Sequence, residues 1–425
     1  MGSKKLAVFA HLEGAFVPAG LLDMTETSDG VQSSEFAYGR RYLDRPNAIE
    51  IDPTSLSIVK KELVRDQSLF PAEGLSIFGG IRDASPDGWG RRVIESRLKA
   101  PLNSLQESTY LLEAGSERIG ALDIRNTIDS EGKVHSRNSV HRLEYLMEAA
   151  DRIEQGLPIP AQLEDIFDAG TSMGGMRPKS AVEDDEGVQW IAKFPSPNDR
   201  LNVPLIESAT MRLAAKAGLI VPQVKTQEIG NKWIMLIQRF DRVSINGKQH
   251  RHHMVSALTM LGCHESDSRN KSYWDIADRI RSKSPEHCVK QDQKELFSRM
   301  VFNILVTNDD DHLRNHAFLW STEHKSWYLS PLYDVMPHPM IGSVRNLHLG
   351  VGNQGRHATL DNALSGYARF GLSLQDAKAV VDHMWRVTRE WKSYFEEWDV
   401  PGAEIEKVST AFRHIDDVLS NHIKP

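Results

Sequence analysis

Val306-Thr-Asn-Asp-Asp-Asp-His-Leu-Arg-Asn-His-Ala-Phe-Leu-Trp320 sets three consecutive carboxylates, Asp309, Asp310 and Asp311, among two asparagines and two histidines. The apolar run before it, Met300-Val-Phe-Asn-Ile-Leu-Val306, reads as a buried helix. The run after it, Ala317-Phe-Leu-Trp320, reads as a strand. The polar residues therefore fall on a loop between two buried elements, where scaffolds tend to hold reacting groups.

Asp310 and Asn315 stand in the spacing D-x-x-x-x-N. In protein-kinase catalytic loops an Asp at this spacing accepts or orients the substrate hydroxyl proton, and the Asn carbonyl oxygen reaches a metal. A hairpin pattern follows, from His316 to Trp320, through the polar turn Ser321-Thr-Glu-His-Lys325, to Trp327-Tyr-Leu329. It ends at Leu332-Tyr-Asp-Val335, and an Asp at the exit of such a hairpin is where a kinase keeps its magnesium-holding Asp. Asp334 is assigned that role, with Tyr-Asp-Val standing where Asp-Phe-Gly would be. The five-residue spacing alone is degenerate. An acidic surface loop with a chance Asn gives the same string, and only the hairpin and Asp334 narrow it. Asp309 and Asp311 compete with Asp310 for its role.

The 425-residue chain is long enough for two or three domains and a sizeable core. Its 51 basic and 58 acidic residues give a net charge of −7, which argues against a strongly cationic nucleic-acid binder acting alone. Cys263 and Cys288 make neither a disulfide framework nor a metal knuckle, as expected of a reducing cytoplasm. The apolar run after Met1-Gly-Ser-Lys-Lys5 is short and broken by His11 and Glu13. No signal peptide or membrane span is expected, and the predicted location is cytoplasmic.

Residues 5–60 read as β-rich, with strands expected at Leu6–Ala10, Gly14–Pro18 and Ala48–Asp52 and a core strand at Phe36–Leu43. Ser85-Pro-Asp-Gly88 is turn chemistry before a helical stretch. Val140 to Gln155 reads as an amphipathic helix that Gly156-Leu-Pro-Ile-Pro160 breaks, which places a boundary there. Gly170-Thr-Ser-Met-Gly-Gly-Met-Arg-Pro-Lys179 is a Gly-rich loop feeding a strand. Glycines let backbone N–H groups approach phosphate oxygens, so Gly174, Gly175 and Lys179 are candidate phosphate contacts. The loop matches neither Walker A nor G-x-G-x-x-G, and a flexible turn is the competing reading. Val188-Gln-Trp-Ile-Ala-Lys193 alternates as a strand and puts Lys193 on the face of Gln189 and Ile191. A kinase holds its phosphate-pairing lysine on such a strand; an ordinary solvent-facing lysine looks the same. Pro204 to Ala217 is a helix closed by Gly218 and carries Glu207, the candidate partner of the strand lysine. A hairpin around Gly230-Asn231 runs into Gln238-Arg-Phe-Asp241, where a hinge would read adenine through Gln238, with Phe240 against the base. From about residue 252 the chain reads as helical, with helices at Ser256–Leu261, Trp274–Ile280, Lys294–Val306, Leu374–Tyr394 and Glu404–Ser420. The predicted class is α+β: a two-lobed, protein-kinase-like fold with a β-rich N-terminal subdomain (1–155), a small lobe with Gly-rich loop, lysine strand and hinge (156–250), and an all-helical C-terminal lobe (251–425).

Taken in order, Ser172-Met-Gly-Gly-Met-Arg-Pro-Lys179, Ile191-Ala-Lys-Phe194, Glu207 before Gly218-Leu-Ile-Val-Pro222, Gln238-Arg-Phe-Asp-Arg242, Asn308-Asp-Asp-Asp-His-Leu-Arg-Asn315 and Leu332-Tyr-Asp-Val335 resemble the HipA family of bacterial toxin kinases. Phe36-Ala-Tyr38 and Ser85-Pro-Asp-Gly-Trp-Gly-Arg91 resemble its amino-terminal subdomain, so the likeness spans most of the chain. The resemblance implies a serine/threonine protein kinase using ATP and Mg²⁺. It makes Asp310, two before His312, the catalytic Asp, with Asn315 and Asp334 on metal and Lys193 and His312 at the nucleotide. The family's hinge often shows Glu where this chain has Gln238. The resemblance further implies autophosphorylation at Ser172, a HipB-like helix-turn-helix antitoxin through which operator DNA is bound, and an aminoacyl-tRNA synthetase, such as glutamyl-tRNA synthetase, as protein substrate. Two other classes stay open on the residues: a metal-dependent hydrolase built on Asp309 to Asp311 with His312 and His316, and a catalytically weak co-repressor acting with a DNA-binding antitoxin.

Overall fold

The computed structural model describes residues 2–133, 138–164, 166–169, 174–245 and 247–419. The chain forms two compact units. The first comprises Met1–Asn198, Leu236–Val255 and Leu319–Lys325, and the second Asp199–Met235, Ser256–Phe318 and Ser326–Pro425.

The first unit opens with an antiparallel meander, β1 (Gly2–Leu12), β2 (Ala15–Thr27) and β3 (Gly30–Tyr38). Glu13 and Gly14, both with positive φ, join β1 to β2, the backbone that a two-residue hairpin needs. At Gly20 a Cβ would lie 2.4 Å from the Ala37 carbonyl and 2.4 Å from the Phe36 ring, so the close approach of β3 at this point needs a residue without a side chain. Phe36 and Tyr38 are buried as expected of a core strand, but the strand expected to run on to Leu43 ends at Tyr38, and Arg40–Leu43 is a helical turn that buries Tyr42 and Leu43. A helix, α1 (Gly88–Leu98), follows the Ser85-Pro-Asp-Gly turn. The strand β4 (Leu122–Arg125) then pairs with β1, giving the order β3-β2-β1-β4. Further on, β5 (Lys179–Glu183) and β6 (Gln189–Lys193) form an antiparallel pair with Lys179 opposite Lys193. Asp184 shapes their turn, its carboxylate accepting from the amides of Glu186 and Val188 and from the Trp190 indole N–H at 2.8 Å. The strand expected at Ala48–Asp52 is a turn region instead. Asp52 is buried, its carboxylate accepting from the amides of Thr54, Ser55 and Gly80, so the apolar residues before it are buried without extended pairing.

In the second unit, α2 (Val203–Lys216) starts on the Asn202 side chain, which accepts from the Leu205 amide, and carries Pro204 in its first turn. Gly218, at φ +85, ends it. The helix α3 (Tyr273–Lys283) has a capping box between Ser272 and Asp275. It packs on α4 (Glu286–Val306), a 21-residue helix whose last twelve residues are all buried. The expected single helix 374–394 is two: α5 (Leu374–Thr388) and a short helix Trp391–Glu397. The break lets Trp391 stack on Phe412, with ring centroids 3.8 Å apart. Among the described residues no helix is long and apolar enough to cross a membrane.

Candidate active site

The loop after α4 begins with Thr307 in the left-handed region (φ 51°, ψ 53°), which turns the chain sharply out of the helix. Thr307 is fixed by its hydroxyl, which donates to the Ala411 carbonyl and accepts from Arg345. Asn308 is buried, donating to Asn303 Oδ1 at 3.0 Å and accepting from the Met336 amide. The three carboxylates then part company. Asp309 takes His338 Nδ1 on one oxygen. Asp311 is fully enclosed, and its Oδ2 accepts from the Tyr273 hydroxyl, from Asn303 Nδ2 at 2.8 Å and from His316 Nε2 at 2.8 Å. Burial would raise the Asp311 carboxyl, but His316 and the hydrogen bonds hold it below its ordinary value. Asp310 is exposed, and among the described residues its carboxylate takes no hydrogen bond. Two of the three acids are therefore structural, and one faces outward.

Asn315 is buried and donates its amide N–H to the Asp310 carbonyl at 3.1 Å. That bond orients the amide and leaves its oxygen as the available ligand atom. Asp334 is exposed between buried Leu332 and Val335, with φ +60. A left-handed non-glycine residue is uncommon, and such strain concentrates at functional positions. The segment leading to it is held from behind. Arg299 donates to the Ser330 carbonyl at 2.6 Å and pairs with Glu295 at 2.9 Å, and the Leu332 amide donates to the Ile220 carbonyl at 2.7 Å. Tyr333 ties its hydroxyl to the Arg314 carbonyl at 2.6 Å, next to Asn315. The donor set of one amide oxygen and one carboxylate suits Mg²⁺, which takes one or two protein oxygens and completes its shell with phosphate and water. Among the described residues no group of three His, Cys, Asp or Glu side chains is arranged to hold a metal unaided. His316 has its Nε2 on buried Asp311 and its Nδ1 enclosed, so neither ring nitrogen is open to the His312–His316 metal couple of the hydrolase reading.

The family described as HipA-like C-terminal domain matches residues 171–391, just over half of the chain. The chain belongs to the HipA-like family. A Haemophilus influenzae relative named "Putative kinase" is 28% identical over 192 residues, which is 40% of this chain and 55% of that protein. The Sinorhizobium fredii "Putative kinase Y4mE" is 26% identical over 154 residues, 34% of each chain. The chain thus spans about half of the first relative's length and about a third of the second's. A solved Shewanella oneidensis MR-1 structure, of toxin–antitoxin HipA with HipB and its operator DNA, aligns over 95% of this chain and 94% of that one. Its TM-score is 0.67 at 17% identity, so the shared property is the fold: mixed helices and sheets, kinase-like.

In this HipA-like chain the remaining site residues divide between the units. Lys179 and Lys193 sit opposite each other on β5 and β6, two cations on neighbouring strands of the first unit. Such a pair suits a polyanion. The Gly175 N–H is directed to the Asp87 carboxylate, and Lys179 Nζ donates to the Gly174 carbonyl at 2.7 Å. Gln238 and Phe240 are half-buried, and Arg239 between them donates its amide to the Gln189 carbonyl at 2.9 Å. Glu207 is buried on α2 in the second unit. His312 turns its ring edge-on to His348, with centroids 5.7 Å apart. Ser172 lies outside the described residues.

Sequence reading missed three supports. The first is the Tyr273–Asn303–His316 cage around Asp311. The second is His338 against Asp309. The third is a buried arginine lock after Gln238, in which Asp241 accepts from Arg239, Arg242 and the Gly120 amide, while Arg239 and Arg242 donate to the Arg118 carbonyl. Burial would raise the Asp241 carboxyl, but the two arginines hold it far below the usual carboxylate range. The signal available was the dense charge of Gln238-Arg-Phe-Asp-Arg242, whose alternating signs can pair with one another.

The Asp309–His338 pair makes a pH prediction. The hydrogen bond to Asp309 raises the imidazole above its ordinary 6.5 against the lowering effect of burial, and Asp309 is itself held below its ordinary 3.8. The histidine's contribution to stability is full below pH 6.5 and is lost as pH rises through its elevated folded value. The carboxylate's is present above 3.8 and lost as pH falls through its depressed one. The pair therefore holds this end of the loop best between about pH 4 and 6.5. In an NMR titration His338 should have a midpoint above 6.5, and Asp309→Asn should lower it. An unchanged midpoint in Asp309→Asn would show that the pair does not hold in solution.

Proposed function

We propose that this chain is a serine/threonine protein kinase of the HipA type, transferring the γ-phosphoryl group of ATP to a serine of a cytoplasmic protein. One observation carries the reading. Of three adjacent acids, two are spent on the scaffold, and the outward one, Asp310, shares its backbone carbonyl with the side chain of Asn315. In the proposed mechanism Asp310 accepts and orients the incoming hydroxyl, Asn315 Oδ1 and the Asp334 carboxylate hold Mg²⁺, and Lys193 and Lys179 contact phosphate oxygens. The metal, when bound, neutralises charge on the transferring phosphate. Catalysis by these groups is positioning and charge complementarity, since phosphoryl transfer leaves the protein little covalent work. Gln238 and Phe240 are the adenine contacts in this reading, Gly174 borders the phosphates, and His312 lies at the nucleotide. The subdomain limits 1–155, 156–250 and 251–425 are part of the same proposal.

The partner proposed is a HipB-like helix-turn-helix antitoxin. The net charge of −7 supports operator DNA being held mainly by that partner, because phosphate contacts supply most non-specific DNA affinity. On the family resemblance the substrate is an aminoacyl-tRNA synthetase, and Ser172 is a site of self-inactivating phosphorylation. Transfer of label from γ-labelled ATP with Mg²⁺, followed by mass spectrometry of the chain, tests the activity and Ser172 together; no transfer to any protein would end the kinase reading. Asp334→Ala is expected to weaken Mg²⁺-ATP binding about tenfold or more, as for a lost charge-assisted contact, while metal-free nucleotide binding changes by less than about twofold. Equal losses with and without Mg²⁺ in calorimetry would remove the metal role.

A further inference from the structure

Gly175 has both backbone groups committed to one turn of the N-terminal segment. Its N–H donates to the Asp87 carboxylate. Its carbonyl accepts from the Trp89 amide at 2.9 Å, and four residues on the Lys179 carbonyl accepts from the Trp89 indole N–H at 2.7 Å. Asp87 occupies the N-cap of α1 yet makes no side-chain bond to that helix. The carboxylate that would ordinarily satisfy the helix's own first amides is given to the Gly-rich loop. The steric fit is equally close. A Cβ on Gly88 would lie 2.4 Å from Met176 Sδ and 3.1 Å from the Gly175 carbonyl oxygen. A Cβ on Gly175, at φ +91, would lie 2.3 Å from Lys179 Nζ.

An amide held by a carboxylate is not offered to a phosphate, so Gly175 is an anchor where the sequence suggested a phosphate contact. The anchor matters because a Gly-Gly segment has more conformational freedom to lose than any other pair, and ordering it at the moment of binding weakens affinity. We propose that Asp87 is a positioning residue for nucleotide binding: by stapling Gly175 it fixes the C-terminal end of the Gly-rich loop and the lysine, Lys179, that begins β5. The role rests on the kinase reading above. It acts on binding of ground and transition states alike, so its loss belongs in KM with kcat nearly unchanged.

The test uses the full chain with Asp87→Ala and the isosteric Asp87→Asn, read out by hydrogen exchange without nucleotide and by steady-state kinetics with Mg²⁺-ATP. In Asp87→Ala, exchange of the amides in 174–179 should rise about tenfold and KM for ATP should rise about tenfold, with kcat within about twofold. Asp87→Asn keeps an acceptor oxygen and should move both readouts the same way by a smaller factor. It also decides the matter if the alanine variant does not fold. Unchanged exchange, or faster exchange with KM unchanged, would overturn the proposal, as would a lowered KM, which would make the contact a brake. A wild-type chain that turns over no ATP would fail the kinase reading, while the exchange experiment would still judge the staple.

Discussion

Asp310→Ala is expected to lower phosphoryl transfer at least about a hundredfold, the lower end of what a positioned acid–base group contributes, while the melting temperature moves by no more than about 2 °C. The two halves of this expectation have separate causes. The carboxylate is exposed and takes no hydrogen bond among the described residues, so its removal leaves no buried group unsatisfied. A surface change of that kind costs within about 0.5 kcal/mol. The local backbone also survives, because the bonds that shape the loop use the Asp310 carbonyl, which accepts from the Asn315 side chain at 3.1 Å and the His312 amide at 2.8 Å. An alanine keeps that carbonyl. Steady-state kinetics beside a thermal melt is the measurement. An active Asp310→Ala enzyme would move the catalytic role elsewhere in the loop, and a large drop in melting temperature would mean that the side chain carries a structural load the geometry does not show.

The contrast between neighbouring acids marks where sequence reading runs out. The D-x-x-x-x-N spacing and the hairpin exit at Asp334 were legible because both are local: the residues that define them lie within one loop and the turn that follows. The strands β5 and β6 were legible for the same reason, through two-residue alternation and turn residues such as Asp184 and Gly187, whereas only Leu6–Ala10 of β1, the start of β2 and the end of β3 were. Which of Asp309, Asp310 and Asp311 is tied into the scaffold and which is left exposed was not local. It is decided by Tyr273, 38 residues before Asp311, and by His338, 29 residues after Asp309. No periodicity connects residues so far apart. The Ala48–Asp52 segment failed differently. Its apolar alternation is that of a strand, but Asp52 draws three amides onto its carboxylate and closes a turn. The buried arginines escaped because a charge in sequence reads as surface. Arg118, Arg239 and Arg242 are buried on backbone carbonyls that their own neighbourhoods do not reveal.

Asp311→Ala should behave as the opposite of its neighbour, destabilising the second unit by roughly 3–5 kcal/mol, as expected when one substitution leaves several buried hydrogen-bonding groups without their acceptor. The carboxylate oxygen Oδ2 is the common acceptor for the Tyr273 hydroxyl, the Asn303 amide and the His316 imidazole, all buried. Alanine removes that acceptor and leaves a void that holds no replacement side chain. Asn303 retains a bond to the Tyr273 hydroxyl at 3.1 Å, which softens the loss for those two groups. His316 has no such reserve, since its Nδ1 is already enclosed without a partner among the described residues. A buried polar group deprived of its partner costs about 1–3 kcal/mol by itself. Against a total stability of about 5–15 kcal/mol this is a large fraction. Asp311→Asn, which keeps an acceptor oxygen but not the charge, should fall between alanine and wild type. Because the cage also sets the path of the chain from α4 to Asn315, the alanine variant should lose activity as well, but as a consequence of unfolding. Denaturant melts of Asp310→Ala, Asp311→Asn and Asp311→Ala in parallel separate the two effects. A stable Asp311→Ala protein that is nonetheless inactive would assign chemistry to Asp311 and displace Asp310 as the catalytic carboxylate.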